Sequence, residues 1–469
     1  MLVTVASRFF LAIPLLLGFS VSVAAQHAAM PSALRLADVL KLGVNSHPLV
    51  EAARARLSSA RGERRSVGTL PNPVFTYWGE NLGRAPLNAT TPLDKEDQFY
   101  ATVPLEPLLQ RWPRIRRADA DIRVADASLS RARQAVALDI ARAFYRVAAA
   151  QVAVEAAGDS RGRLAELVTF NQARVREGVA AEADLIRTQI ELDRVTANTT
   201  LERVELARAR AALAPFLALR ASAFMRPAVA DMTSASSLDE VRVVIDDEVS
   251  EVESAAGPLA LSELLQRARA SRADVMESRA RAAAARAEVS TQRALTVRQV
   301  GATFGTKRTA GVTSLIASLS VPIPLFDQNR GDIQRAQGEH TALEQEAAWT
   351  ERQAVAEVES AYAAARLLTE QVTLLRGAFV SRAEESQRIA LAAYQEGAIN
   401  LLQVLDASRT LADARVTFYR TVFAQRQSLL ELNAAVGASP LDAPITMSVP
   451  GSPLSSPPSL PAGTAGVRP

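Results

Sequence analysis

The sequence predicts a mainly α-helical protein with a small β part, in which one structural plan occurs twice. The first observation is an internal duplication: the run REG ending at Gly178 is matched, 219 positions later, by QEG ending at Gly397. The second is that each copy places one short alternating stretch between long stretches of helical pattern. The third is composition, because aromatic residues make up only 5% of the chain, which favours thin packing between helices over a thick aromatic core.

Two further matches follow the same order in both copies. The segment NSHPLVEAARAR at 45–56 resembles ASRADVMESRAR at 270–281, and ATVPLEPLLQ at 101–110 resembles SLSVPIPLFDQ at 318–328. The offsets lie between 217 and 225, so the copies differ by short insertions in loops. We therefore expect a signal peptide at 1–25, a first repeat at 26–214, an insert at 215–260, a second repeat at 261–437 and a disordered tail rich in Pro, Ser and Gly at 438–469.

The N-terminus has the pattern of a cleaved signal peptide. Arg8 precedes an apolar stretch that contains Pro14, and small residues lead to a cleavage site after Ala25. The alternative is a membrane anchor, but the apolar stretch is shorter than the roughly 20 residues that a span requires. No other stretch approaches that length, so the exported protein would contact a membrane through strands or a surface.

Composition excludes several classes of function. The net charge of +3 is too small to indicate a nucleic acid partner. The chain has no cysteine, which rules out disulfides, thiolate ligands and lipid attachment at a mature N-terminal cysteine. His27, His47 and His340 are the only histidines and lie far apart, and no HExxH, Walker A or GxSxG motif is present. We expect no catalytic, cofactor-binding or metal-ligating residue, and therefore no enzyme.

In the first copy, helical pattern covers 34–66, with a break or a helix start at Pro48. Apolar and polar residues alternate around 98–105, after a stretch at 70–83 that is interrupted by proline and glycine. This pattern predicts a hairpin with a long connection. A helix is predicted from 114 to 176, and a returning helix from 181 to 214. Together these segments predict a strand pair followed by a long helical hairpin.

The second copy repeats this order. Helix is predicted over 261–293, strands over 300–307 and 314–323, a long helix over 332–395 and a returning helix over 401–436. In the last of these, Val404, Leu411 and Phe418 recur every seven residues, which indicates supercoiled packing of helices.

The strands alternate between an apolar and a polar face. Phe99, Ala101 and Val103 share one face of the first copy's strand, and Leu315 and Leu319 share one face in the second. Such a strand suits either a barrel wall between lipid and water or an ordinary half-buried sheet. Four strands cannot close a barrel, since the smallest common barrels have about eight. The strands must therefore be pooled among subunits or packed against another element.

The duplication, the signal peptide, the paired REG and QEG turns and the motif VPIPLFDQNRGDI at 321–333 resemble the TolC-like outer-membrane efflux factors. The motif is most similar to the CzcC-like branch, which serves heavy-metal resistance pumps. The resemblance covers residues 33–437. It implies a homotrimer in the outer membrane, in which each chain gives four strands to a twelve-stranded β-barrel and its helical hairpins to a periplasmic α-barrel. The 215–260 insert would form a belt around the tunnel.

The resemblance also assigns roles to residues near the turns. Gly178, Val179, Gly397 and Ala398 would form the tips where a periplasmic adaptor protein docks, although a plain turn explains the glycines equally well. A pore constriction would be lined by Gln403, Asp406, Asp184 and Arg187. Relatives carry an acidic pair just after the second tip; Asp406 matches this pattern and Gln403 departs from it. The alternative role of Asp406 is a surface charge or an intersubunit salt bridge.

The resemblance therefore implies a passive exit channel of a tripartite efflux pump. Substrate, heavy-metal cations in this branch, would pass from an inner-membrane RND-type pump and its adaptor to the exterior. One alternative is the exit duct of a protein-secretion or drug-efflux system. Another is a periplasmic coiled-coil adaptor or scaffold without a pore, but such a protein would not need two strand pairs.

Overall fold

The computed structural model describes residues 33–82, 94–217, 242–243 and 260–438. Most of these residues are helical, and a four-stranded antiparallel sheet lies where the long helices begin. The predicted fold class, mainly α with a small β part, is confirmed. The predicted signal peptide, nearly all of the tail and most of the insert lie outside the described residues.

The first copy follows the predicted order of elements. A short strand precedes two helices, two strands, a very long helix and a returning helix. These are β1 (Ala33–Leu34), α1 (Leu36–Ser46), α2 (Pro48–Gly68), β2 (Val74–Glu80), β3 (Glu96–Pro104), α3 (Pro107–Arg176) and α4 (Glu182–Leu213), after which a 3-10 turn covers Ala214–Leu217.

The second copy has the same order. The short strand β4 (Arg242–Val243) lies between the copies and pairs in parallel with β1, and neither was expected from the sequence. The remaining elements are α5 (Leu261–Ser271), α6 (Ala273–Ala294), β5 (Gly301–Thr309), β6 (Val312–Ser320), α7 (Arg330–Leu374), a π-helical segment (Leu375–Phe379), α8 (Val380–Gln395) and α9 (Leu401–Ala435).

The continuous helix expected over 261–293 is wrong, because the chain breaks at Arg272. This residue has an extended backbone (φ −70°, ψ 123°), and its guanidinium donates to Asp274 at 2.8 Å and to the Ala435 carbonyl at 3.3 Å. The equivalent break in the first copy lies at His47, whose ring accepts from the Leu49 N–H at 3.2 Å. Proline follows His47, so only that break had a local sequence signal.

The single helix expected over 332–395 is also wrong. The π-helical segment Leu375–Phe379 separates α7 from α8, whereas its counterpart α3 continues for 70 residues, about 105 Å at 1.5 Å per residue. Each copy has a glycine at this point, Gly158 and Gly377, so local sequence does not decide the difference. In the second copy, Leu375 is buried, and Gln425 of α9 donates to Thr369 of α7 at 3.1 Å.

The sheet has the order β2-β3-β5-β6, with antiparallel pairing throughout. In the described part of the chain, β2 pairs only with β3 and β6 only with β5, so each has one side without a partner strand. The predicted alternation is present, but β6 ends at Ser320, so Val321 and Ile323 lie beyond the strand. One face carries exposed apolar side chains, namely Phe75, Tyr77, Phe99, Val103, Phe304, Leu315 and Leu319.

The opposite face carries most of the polar side chains of the sheet, together with the exposed apolar residues Val74, Trp78 and Val312. Thr102 and Thr303 share a hydrogen bond at 3.0 Å across β3 and β5, and Lys307 contacts Glu96 at 2.6 Å. Gly305 lies opposite Tyr100 in this pairing. A Cβ atom at Gly305 would lie 2.3 Å from the Phe99 carbonyl oxygen, so the close approach of these strands requires glycine.

The largest core lies where α1 and α2 pack on α3, joined by the end of α4. Its fully buried side chains include Val39, Leu40, Ile140, Phe144 and Leu213. The second copy has a smaller core between α5, α7 and α9, formed by Leu264, Val358, Leu432 and Val436. Both cores lie far along the helices from the turns and therefore fix the hairpins at their bases.

None of the helices in the described ranges is both long and apolar enough to cross a membrane.

Candidate functional site

The two hairpin turns have the same backbone structure. Gly178 and Gly397 adopt positive φ values of 72° and 79°, a conformation that glycine adopts without the steric penalty of a side chain. After each glycine, the next N–H donates back to the helix: Val179 to the Arg174 carbonyl at 2.9 Å, and Ala398 to the Ala393 carbonyl at 2.8 Å. These are Schellman-type helix ends. They explain why both the REG run and the QEG run end in glycine.

All four predicted tip residues are exposed. Val179 has 60% of its surface accessible, and Gly178, Gly397 and Ala398 are also exposed. The turns are therefore accessible in this chain. Adaptor docking at these residues stays a prediction.

The two hairpins pack against each other directly behind their turns. Side chains from α3, α8 and α9 form a common apolar cluster, with α4 packed at its margin. The buried members of this cluster are Leu164, Leu167, Tyr394, Leu401, Val404 and Leu405. One chain therefore brings its two tips side by side, although they are about 219 residues apart in sequence.

A buried polar contact crosses this cluster. The Tyr394 hydroxyl donates to Asn171 Oδ1 at 2.8 Å, and Asn171 is completely buried. The guanidinium of Arg174 lies 5.2 Å from the centre of the Tyr394 ring. Burial raises the pKa of Tyr394, and the nearby Asp184 adds to this effect, while Arg174 opposes it. Tyr394 therefore stays a neutral donor and fixes the position of α8 against α3.

An ion cluster links the two returning helices farther from the turns. The carboxylate of Glu191 on α4 accepts from Arg409 of α9 at 3.0 and 2.6 Å and also from Arg194. Only 6% of the Glu191 side chain is exposed. The hydrogen bonds from Arg409 are the main reason that the pKa of Glu191 is lowered, and Arg194 contributes further. A buried carboxylate with such partners stays ionised.

The predicted constriction residues lie near the turns, but only two of them contact each other. Asp184 is half-buried and lies 3.7 Å from Arg187, one helical turn away. Gln403 and Asp406 are exposed on α9, and the Gln403 N–H donates to the Asn400 side chain, which caps the helix. The lining of a pore by these four residues stays a prediction.

A cavity of about 250 Å³ lies between the two hairpins. Its wall is partly apolar and partly charged, and includes Leu164, Leu167, Phe170, Arg163, Glu191 and Arg409. Within the described residues, no three histidine, cysteine, aspartate or glutamate side chains are grouped so that they could hold a metal ion. His47 caps α2, and His340 lies 3.5 Å from Glu344 on the same helix, so both have local partners.

Reasoning from sequence missed Asn171, Glu191, Tyr394 and Arg409. Each of them makes its main contact with the other copy, so no local pattern marks the pairing. Tyr394 had one available signal, since a large aromatic residue three positions before a turn glycine is well placed to pack between hairpins. The turn glycines themselves were predicted correctly because their signal is local.

Comparisons with known proteins agree with this architecture. The family described as "Outer membrane efflux protein" matches residues 40–218 and 264–438. The cobalt-zinc-cadmium resistance protein CzcC of Cupriavidus metallidurans is 25% identical over 414 residues, which cover 86% of this chain and 90% of that protein.

Solved outer-membrane proteins share the fold. The outer membrane protein VceC of Vibrio cholerae is 18% identical with a TM-score of 0.68, and the match covers 86% of this chain and 96% of VceC. The outer-membrane channel OprN is 19% identical with a TM-score of 0.66, covering 87% of this chain and 91% of OprN. The family match spans most of both copies, which confirms the predicted resemblance: the chain belongs to the outer membrane efflux protein family.

Proposed function

We propose that this protein is the outer-membrane exit channel of a tripartite efflux system and that it conducts heavy-metal cations passively. The observation that carries this proposal is the four-stranded sheet. In the described part of the chain, its edge strands β2 and β6 each have one side without a partner, and exposed apolar side chains lie along one face. Open edges and an apolar outer face are unstable in water as a final state. When strands from several chains close a barrel in lipid, the open edges pair with one another and the apolar face contacts lipid.

We infer that the barrel is built from three chains. Four strands from each give twelve strands, and β2 of one chain then pairs with β6 of the next. The more polar face, with Thr102, Thr303 and the Lys307–Glu96 pair, turns inward to a wet lumen. The long hairpins continue the passage into the periplasm, with the Gly178 and Gly397 turns at its far end.

The turns are the surface that an adaptor protein would contact. Two exposed turns from each chain give six at the mouth of a trimer, and the shared backbone structure gives each one the same shape. An inner-membrane pump of the RND type would supply the energy, because a passive channel has none of its own. The cleaved signal peptide expected at 1–25 supports export of the chain to the outer membrane.

The substrate class rests on similarity to CzcC, a protein named for cobalt, zinc and cadmium resistance. The experiment is growth of a deletion strain on salts of these metals and on a panel of dyes and antibiotics. We expect sensitivity to the metals, restored by the intact gene. Sensitivity to organic compounds alone would assign the channel to drug efflux, and a soluble periplasmic monomer after fractionation and cross-linking would reject the channel itself.

A further inference from the structure

Two pairs of large apolar side chains are exposed at equivalent points of the two copies. In the first copy, Leu108 is 71% exposed and Leu109 is 58% exposed; in the second, Leu325 is 70% exposed and Phe326 is 99% exposed. Each pair directly follows a proline in the matching segments at 101–110 and 318–328. The duplication has thus kept the same exposed apolar feature twice, which indicates a common partner for both pairs.

Both pairs lie near the same end of the sheet, where β3 and β6 stop. The end of β3 at Pro104 is paired with Gly301, and Gly301 is paired with Ser320 at the end of β6. Just past this end of the sheet, the Leu105 N–H donates to the Val300 carbonyl at 2.7 Å. The exposed pairs therefore adjoin the exposed apolar face of the sheet, and the two form one surface.

Arginine adjoins this surface on α3. Leu109, Trp112 and Arg116 are spaced by three and four residues, so they share one face of the helix. Trp112 is 63% exposed, and Arg116 lies one turn farther from the sheet. The stretch RWPRIRR at 111–117 contains four arginines and no acid.

Most of these arginine charges are not neutralised. Arg117 pairs with Asp121 at 2.8 Å and with Glu288 at 3.2 Å. By contrast, Arg111 donates to the Gly68 carbonyl at 2.8 Å and Arg114 to the Gln110 side-chain oxygen at 2.7 Å, both neutral acceptors. Arg116 is exposed and forms no ion pair within the described residues. Arg111 and Arg114 lie one and two positions from Trp112, so they occupy other faces of the helix. Arg116 is therefore the unneutralised positive charge of each chain beside exposed Trp112.

We propose that this surface, formed on α3 by Leu109, Trp112 and Arg116, binds the headgroups of anionic phospholipids at the membrane boundary nearest the long helices. The inference rests on the proposed placement of the sheet in the outer membrane. Tryptophan is enriched at the boundary between lipid and water, and the arginine guanidinium matches a phosphate group in geometry and charge. A contact between copies of the chain suits the surface less well, because the core of such an interface is depleted of uncompensated charge.

Lipid retention measured by native mass spectrometry tests the proposal. The purified full-length protein in a neutral detergent is mixed with equal amounts of phosphatidylglycerol and phosphatidylcholine that have the same acyl chains. We expect the parent to retain phosphatidylglycerol preferentially, since each basic residue near an anionic surface contributes about fivefold. Arg116→Gln should lower the preference about fivefold. Arg420→Gln is the matched control, because Arg420 is exposed on α9 and forms no ion pair in the described chain.

A second variant separates the apolar and charged parts of the surface. Trp112→Ser should reduce retention of both lipids while leaving their ratio near that of the parent. Equal retention of the two lipids by the parent, or an Arg116→Gln variant that behaves like Arg420→Gln, would overturn the proposal. So would variants that weaken self-association without changing the lipid ratio, since the surface would then be a contact between copies. A preserved lipid preference in a protein that fails to restore metal resistance would support this inference and count against the proposed function alone.

Discussion

Glu191 and Arg409 form a two-point ion pair that joins the returning helices of the two copies. The two bonds measure 3.0 and 2.6 Å. The two residues lie 13 and 12 positions beyond Gly178 and Gly397 respectively, so the pair connects equivalent heights of the two hairpins. Because only 6% of the Glu191 side chain is exposed, solvent screens this pair less than it screens the ion pairs on the helix surfaces.

Removing the arginine of this pair should destabilise the packed hairpins. Arg409→Gln leaves Glu191 with Arg194 alone, and we expect a loss of about 1.5–3 kcal/mol in the free energy of unfolding, typical of a hydrogen bond to a charged group. Thermal melting of the purified protein in detergent measures the effect. Arg388→Gln is the control, because its pair with Glu385 is exposed and such pairs contribute about 0–1 kcal/mol. Equal melting temperatures for the two variants would contradict a stabilising role for the Glu191–Arg409 pair.

The same carboxylate predicts a dependence of stability on pH. The pKa of Glu191 is lowered in the folded protein, so its contribution is complete above the unfolded value of about 4.3 and is lost as the pH falls through the lower folded value. The melting temperature of the parent should therefore drop more steeply below about pH 5 than that of Glu191→Gln. Melting curves at matched ionic strength test this, and parallel slopes would show that Glu191 does not contribute.

Features with a local signal were predictable from sequence. Pro48 marked the start of α2, the period-two pattern marked β3 and β6, and glycine marked both hairpin turns. The break at Arg272 had no such signal, and one of its contacts is with the distant Ala435 carbonyl on α9. Helix propensity cannot report a contact that is 163 residues away.

Gly305 should be irreplaceable in the sheet. A Cβ atom there would lie 2.3 Å from the Phe99 carbonyl oxygen and 2.4 Å from the Tyr100 Cβ, so Gly305→Ala should force β3 and β5 apart. Gly301→Ala is the matched control on the same strand, since its nearest neighbour would be the Thr102 methyl carbon at 3.6 Å, an ordinary contact. We expect a severalfold lower yield of folded protein in the membrane fraction for Gly305→Ala only. A normal yield for both variants would show that the strands are not held so closely.

The turn glycines and a helical glycine should respond oppositely to alanine. Gly178→Ala and Gly397→Ala place a side chain at positive φ, which costs about 1 kcal/mol or more. Gly158→Ala lies within α3, where no atom beyond the neighbouring residues and the local helix backbone is within 4 Å of the new Cβ, and should stabilise by about 0.5–1 kcal/mol. Thermal melting of each variant shows whether the substitution raises or lowers stability. If an adaptor contacts the turns, only the first two variants should also weaken its binding in a pull-down assay.

Contacts between the copies could not be predicted from the sequence, for a different reason. Asn171 and Tyr394 are 223 residues apart, and their hydrogen bond forms only because two hairpins from separate repeats pack at the same height. The π-helical segment at Leu375–Phe379 shows the same limit: Gly158 and Gly377 are equivalent in sequence, yet only the second lies in a distorted helix. In both cases tertiary packing decides the outcome.

The residue predicted to form the gate is Asp406, which is exposed on α9 nine residues beyond Gly397, about two and a half helical turns at 3.6 residues each. In a trimer, three copies around the axis would attract cations and repel anions. Asp406→Asn should therefore lower cation selectivity in planar-bilayer recordings and weaken block by multivalent cations. Glu359→Gln is the control, since Glu359 is an exposed acid on α7, 38 residues before the turn glycine.

The neighbouring position gives the converse test of the same gate. Gln403 is exposed one turn before Asp406 on α9, and Gln403→Asp would create a second ring of three carboxylates. Cation selectivity and multivalent block should both increase, and the close packing of like charges should raise the pH at which the block is relieved. If Gln403→Asp and Asp406→Asn both conduct like the parent and like Glu359→Gln, these side chains do not line the constriction. The gate would then lie elsewhere along the passage, even in a protein that exports metals.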